Sequence, residues 1–157
     1  MVIQNTGQET KHQETPVLYN PEHLKLALSG KKNLEGFNLQ GANLNGVDLQ
    51  WVRLFGADLR GADLQGAKLH GAKLHGAKLL VANLQGAKLF GAKLQGAKLQ
   101  GVEFQGVDLQ GAILEGVKNL SPGQLINSKN VHLASDLPFS LQEVILAKQL
   151  AAMEDDS

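Results

Sequence analysis

Two histidines five residues apart, His70 and His75, are the first residues in this chain whose type suits chemistry. An imidazole serves as a general base or a metal ligand near neutral pH, but each use needs a second group aimed at the same point. No Asp or Glu stands near either histidine, so neither has a carboxylate to orient it. Cysteine is absent, which removes thiolate nucleophiles, disulfides and cysteine-bound metals. The glycines form no Gly-x-Gly-x-x-Gly phosphate loop and recur every five residues instead. Catalysis, a cofactor and a metal are therefore not expected. Trp51, Arg53 and Phe55 form a different kind of cluster. At alternate positions they share one face of an extended segment, and a cation between exposed aromatics can bind an acidic protein surface or a nucleic-acid backbone.

The elements that position these groups are written as a repeat. From Leu34 to Leu114 a large apolar residue stands at every fifth position, 17 times without a slip, and Phe104 is the one departure from leucine. From Ala42 on, two residues before each stands a small or modest residue, mostly alanine; two residues after each stands glycine, except at Trp51 and Val81. A period of five fits neither a helix nor a continuous strand. It fits a short extended segment, with the small residue and the leucine on one face, followed by a turn. Glycine takes the turn position that needs positive φ, as in a type II turn. One pentapeptide makes one side and one corner, and four close a square coil. Seventeen repeats give about four coils, stacked about 4.8 Å apart, with leucine and alanine columns packed solid inside. His70 and His75 then lie on adjacent walls and cannot share a metal.

Ala42-Asn43-Leu44-Asn45-Gly46 and Ala62-Asp63-Leu64-Gln65-Gly66 carry the pattern Ala-(Asp/Asn)-Leu-X-X, and on these residues the chain resembles the pentapeptide-repeat family. The resemblance covers residues 32–116 and implies that family's fold, an all-β solenoid in the form of a right-handed quadrilateral β-helix. With its helical flanks the chain is similar to the small cyanobacterial members. It departs from the pattern at positions 68, 73, 78, 88, 93 and 98, where lysine replaces Asp or Asn. Those positions face solvent, so the departure bears on function and not on the fold.

Stacking residues 20 apart places Arg53, Lys73 and Lys93 above one another on one wall, with His75 above Phe55. The next wall carries Asp58, Lys78 and Lys98. The third carries Asp63, Asn83 and Glu103 beside a ladder of Gln65, Gln85 and Gln105. The fourth carries Asp48, Lys68, Lys88 and Asp108. Asp58 with Lys78, Asp48 with Lys68 and Lys88 with Asp108 are complementary vertical neighbours, each expected to contribute about 0.2–1 kcal/mol. Trp51, Arg53, Phe55, Lys73, His75 and Lys93 make the candidate partner-binding wall, unless the N-terminal arm with Tyr19 folds back over Trp51.

Both ends need lids, because an open β-helix exposes strand edges and leucines. Residues 17–31 are expected to supply an N-terminal capping helix: Asn20-Pro21-Glu22 reads as a start, Leu24, Ala27 and Leu28 as its apolar stripe, and Gly30 as its stop. Residues 117–153 are expected to supply C-terminal capping helices, opened by capping boxes at Ser121-Pro122-Gly123-Gln124 and Ser140-Leu141-Gln142-Glu143, with Phe139 stapled to Val144. In the last helix Leu141, Val144, Ile145, Leu146 and Leu150 spread around most of the circumference, more than a lid needs, which suggests self-association into a homodimer. Residues 1–16 and the acidic tail 154–157 read as disordered.

Acidic and basic residues balance at 15 each, there is no signal-like start and no apolar run of membrane length, so a cytoplasmic protein without a membrane partner is expected. The expected function is that of a non-catalytic scaffold or regulatory protein that binds a protein partner through its walls or last helix. The resemblance also implies an alternative, the family members that mimic duplex DNA and bind DNA gyrase. Those need a strongly negative rod, whereas residues 32–116 here carry nine basic and seven acidic groups. Because acidic and basic residues balance over the whole chain, no net charge marks it for a nucleic-acid partner, which is not favoured.

Overall fold

The computed structural model describes residues 18–139, 141–143, 145–147 and 150. The expected disordered segments 1–16 and 154–157 lie outside them, as do Ser140 and Val144 with the capping box and staple placed there.

Within the repeats the backbone forms parallel bridges between residues 20 apart, from Asn33 with Arg53 to Lys98 with Lys118. Four pentapeptides separate the partners, so each coil has four sides. The bonding follows the repeat. The N–H of Leu34 donates to the Arg53 carbonyl, and that of Gly36 to the Phe55 carbonyl. At each corner the residue after glycine donates back three residues, as Ala42 does to Leu39. Glycine holds that corner at positive φ, for example 70° at Gly41. Every member of the leucine series, Phe104 included, is buried, and so are the alanines and valines two positions earlier from Ala42 on, apart from half-buried Val47.

Bridging continues past the last repeat. Asp108 bridges to Lys129 and Ile113 to Ser135, at spacings of 21 and 22 residues, so the irregular segment after residue 118 still adds backbone to the top of the stack.

At the N-terminal end, α1 (Pro21–Leu28) starts where Asn20 Oδ1 accepts the N–H groups of Glu22 (2.9 Å) and His23 (3.3 Å). The helix is fastened to the second wall: the Asn38 N–H donates to His23 Nδ1 at 2.9 Å, and the His23 ring stacks on Phe37 at 4.1 Å. Ala27 enters the core and Leu24 packs against it, but Leu28, expected in the same stripe, is exposed. One short helix over a narrow coil has room for a single buried column, and Leu28 falls beside it. Tyr19 packs against the core and not over Trp51, which stays 68% exposed.

At the other end, α2 (Pro122–Leu125) is held by Gln124. Its Oε1 accepts the Ser121 N–H at 2.8 Å, and its Nε2 donates to the carbonyls of Leu99 (2.9 Å) and Val102 (3.0 Å). The second pair of bonds ties the turn to the coil beneath it. A 3-10 turn follows at Val131–Leu133. Residues 139, 141–143, 145–147 and 150 are helical. There Leu141 and Ile145, one helical turn apart, are buried in the core, whereas Leu146 and Leu150 are exposed.

Candidate binding wall

The position before each leucine points outward and decides what each wall presents. In all eight repeats where it is Asp or Asn, its side-chain oxygen accepts the N–H two residues on, at 3.0–3.3 Å. This closes a small turn on the corner from outside. Lysine has no acceptor. Among the described residues the corresponding N–H groups of His70, His75, Leu80, Phe90, Gln95 and Gln100 make no such bond. The lysine repeats thus forgo a local brace that the Asp and Asn repeats have.

The expected vertical ion pairs do not form. Asp58 turns to Arg60, which grips it with Nε at 2.8 Å and Nη2 at 2.7 Å, and among the described residues Lys78 makes no ion pair. That hydrogen bond holds the Asp58 carboxyl below the usual carboxylate range, against a smaller opposing effect of burial. Asp48 accepts from the backbone and side chain of Gln50, chiefly the backbone bond lowering its pKa. Asp108 takes the Gln110 N–H and Asn130. A short carboxylate already sits beside the N–H two residues on, so folding back costs less side-chain freedom than reaching a lysine on the next coil. The glutamine ladder is broken as well: Gln65 accepts from Asn45, and Gln85 donates to Glu103.

Arg53, Lys73 and Lys93 occupy one column, joined by backbone bridges. Arg53 reaches Glu35 at 3.4 Å and lies 5.4 Å from the centre of the Phe55 ring. His75, one coil up, stacks on Phe55 at 4.9 Å. Burial, then Lys93 and Lys73, push the His75 pKa down, because each disfavours the charged imidazolium. Its Nδ1 is covered and has no hydrogen-bond partner. His70 lies on the neighbouring wall, edge-on to Phe90 at 6.3 Å. Phe90 is 47% exposed and was not singled out by the sequence reading, although a spacing of 20 places it directly above His70.

Trp51 stands at the corner between these two walls with φ of 60°, in the left-handed region that a bulky side chain avoids. Its ring covers Gly71 of the next coil, where an added Cβ would come within 2.1 Å of it. Val81 takes the same strained conformation at another corner, at φ 51°. Among the described residues no group of three or more His, Asp or Glu is placed to hold a metal.

Lys73 sits between two like charges in its column and lacks the turn brace, both unfavourable to stability. Lys73→Asn supplies the brace and relieves the repulsion. It is expected to stabilise the protein by about 1 kcal/mol, read from the urea midpoint. An unchanged or lowered midpoint would show that these turns brace nothing.

The family model described as pentapeptide repeats matches eight copies over residues 33–61, 43–79 and 82–118. The chain belongs to the pentapeptide-repeat family. Members of this family fold as right-handed quadrilateral β-helices, in agreement with the bridges 20 residues apart. A pentapeptide-repeat protein of the Arabidopsis thaliana thylakoid lumen is 33% identical, with 69% of this chain and 77% of that one covered and a TM-score of 0.57. Rfr23, from the cyanobacterium Cyanothece 51142, is 38% identical over 48% of this chain, with a TM-score of 0.48; the match spans 52% of that protein's length. QnrB1, a plasmid-mediated fluoroquinolone resistance protein, is 20% identical over 76% of this chain and 64% of its own, with a TM-score of 0.54, a likeness of fold. No protein of curated function matches. Pentapeptide-repeat proteins are generally non-catalytic.

Proposed function

We propose that this pentapeptide-repeat protein is a non-catalytic scaffold of regulatory type that binds a protein partner through the wall bearing Trp51, Arg53, Phe55, Lys73, His75 and Lys93. The observation that carries the reading is Trp51: a large aromatic ring exposed to water, held at a strained corner beside a column of three cations. Strain and exposure at one residue both count against stability, and such positions concentrate where a surface is used. On this reading the helices at the two ends serve as lids on a stack of about four coils, and the walls are the working surface.

The test is capture from a lysate of the source organism by the wild-type protein and by an Arg53→Glu, Lys73→Glu, Lys93→Glu variant. The three side chains face solvent, so both proteins should melt alike. A partner held by wild type and lost by the variant is the expected result. Identical captures would remove function from this wall.

The far end offers a second surface for self-association. Phe139, Leu146 and Leu150 are exposed, the first at 82%, and with Ala134, Leu137 and Ile145 the first two line an open groove of about 530 Å³. Only Leu141 and Ile145 of the helix's apolar residues in the described set are buried against the chain itself. A dimer mass in sedimentation equilibrium, reduced to monomer by Leu146→Lys, is expected; a monomer mass at high concentration rules this surface out.

A further inference from the structure

The charges of the repeat region are sorted along its axis. Between Asp63 and Glu103 there is no acidic residue at all, and six lysines fall in that stretch. All six are exposed, and among the described residues none lies within ion-pair distance of a carboxylate. Four of them frame one corner. Lys68 and Lys73 stand on either side of Gly71, and Lys88 and Lys93 on either side of Gly91, one coil above. The corner itself is aromatic: the Trp51 ring lies on Gly71, and Phe90 immediately precedes Gly91. The Trp51 N–H donates to the His70 carbonyl and that of Gly71 to the Phe90 carbonyl, at 2.8 Å each, so these residues are locked together through the backbone.

We infer that this corner binds a short acidic peptide segment interleaved with apolar residues, its carboxylates on Lys68, Lys73, Lys88 and Lys93 and its apolar side chains on Trp51 and Phe90. The inference rests on the wall-binding reading above and names the chemistry of the partner.

The height of the patch selects this ligand over a nucleic-acid strand. The four lysines occupy two coils, about 5 Å apart, and Arg53, one coil below Lys73, is taken up by Glu35 at 3.4 Å. In the column of Lys68 and Lys88, Asp48 closes the lower end and Asp108 the upper. A phosphodiester strand carries a charge at every nucleotide and would run past so short a patch into those carboxylates. A peptide can place its charges on the patch alone and fill the corner with side chains that need no charge. A flat anionic surface is a poorer match, because the two lysine columns lie on different walls and face different directions. Lysine as a mobile point charge suits an extended carboxylate-bearing chain, which needs no planar fork.

Trp51 is the sole tryptophan, so its emission reads occupancy of the corner directly. The probe is a synthetic peptide of glutamates interrupted by phenylalanines, titrated at low salt against the full chain, beside an oligothymidylate of equal charge. The peptide is expected to shift Trp51 emission saturably, and added salt to weaken it. A Lys68→Gln, Lys73→Gln, Lys88→Gln, Lys93→Gln variant should bind at least about tenfold more weakly. Lys78→Gln with Lys98→Gln, on the next wall, should leave binding intact, which separates the corner from net charge. Thermal melts of both variants establish that they fold. No response to the peptide, or equal weakening by both variants, would overturn the proposal, and tighter binding of the oligothymidylate would reassign the corner to single-stranded nucleic acid. If the peptide fails while lysate capture still depends on Arg53, Lys73 and Lys93, only the ligand class is wrong. If both fail, the wall itself is not a binding surface.

Discussion

Leu74→Ala is expected to lower stability by about 2–5 kcal/mol, the range for emptying a closed core site. Leu74 is buried, with Leu54 below and Leu94 above in its column. The coils on either side are pinned by backbone hydrogen bonds, Leu54 to the Lys73 carbonyl and Leu74 to the Lys93 carbonyl, so the walls cannot close on the void. A globular core relaxes in three dimensions; a stack can relax only along its axis, where those bonds resist. The defect also interrupts a structure whose coils are stabilised by nearest neighbours, so the coils on either side should unfold with less cooperativity. The measurement is urea denaturation followed by circular dichroism, with Trp51 emission reporting the lower coils. A loss under about 1 kcal/mol with coincident transitions would contradict a column packed this tightly.

Gly71→Ala is expected to destabilise far more than Gly76→Ala, although both are corner glycines with φ near 60°. At Gly76 nothing lies within 4 Å of an added Cβ, so the cost is that of placing an L-residue in the left-handed region, about 1–2 kcal/mol. At Gly71 the methyl group would also drive into the Trp51 ring, adding about 1–3 kcal/mol as the ring is forced away. The double variant Gly71→Ala, Trp51→Gly should recover most of that excess and behave like Gly76→Ala. Equal effects of the two single substitutions would mean that the ring moves aside freely and that Trp51 is not seated on Gly71.

The repeat could be read from the sequence because it is enforced locally. Side chains alternate in an extended segment, so the spacing of leucine and alanine sets which face is buried without reference to the rest of the chain. Every member of the five-residue series from Leu34 to Leu114 is buried, as the spacing requires. What escaped was the alternative open to each polar side chain. Asp58 was matched with Lys78 by sign, but its carboxylate has the Arg60 N–H and guanidinium close at hand. The eight Asp and Asn positions were legible as family pattern, yet their task, bracing the corner two residues on, is a matter of hydrogen-bond geometry. The spacing of 20 set Arg53, Lys73 and Lys93 in one column, as the backbone bridges have them, whereas Trp51 falls at the corner and Phe90 was overlooked because its own segment carries no second aromatic. At the ends no period operates. There Leu28 is exposed where apolar character alone placed it at a contact, and only packing against a particular coil distinguishes it from Ala27.

The spacing of 20 between bridged residues restricts how such a chain can change length. Inserting or deleting 20 residues lengthens or shortens the rod and leaves every remaining column on its own wall. Inserting or deleting five preserves the interior equally well, since any leucine can sit on any other, but turns everything beyond it by one wall. Deleting one pentapeptide between Lys73 and Lys93 would carry Lys98, not Lys93, to the place above Lys73 and would set the upper charges on new neighbours throughout. The core is indifferent to that rotation and the surface is not. Small length changes in this architecture therefore reshuffle the outside while leaving the fold untouched, a route to new surfaces that a globular core does not offer.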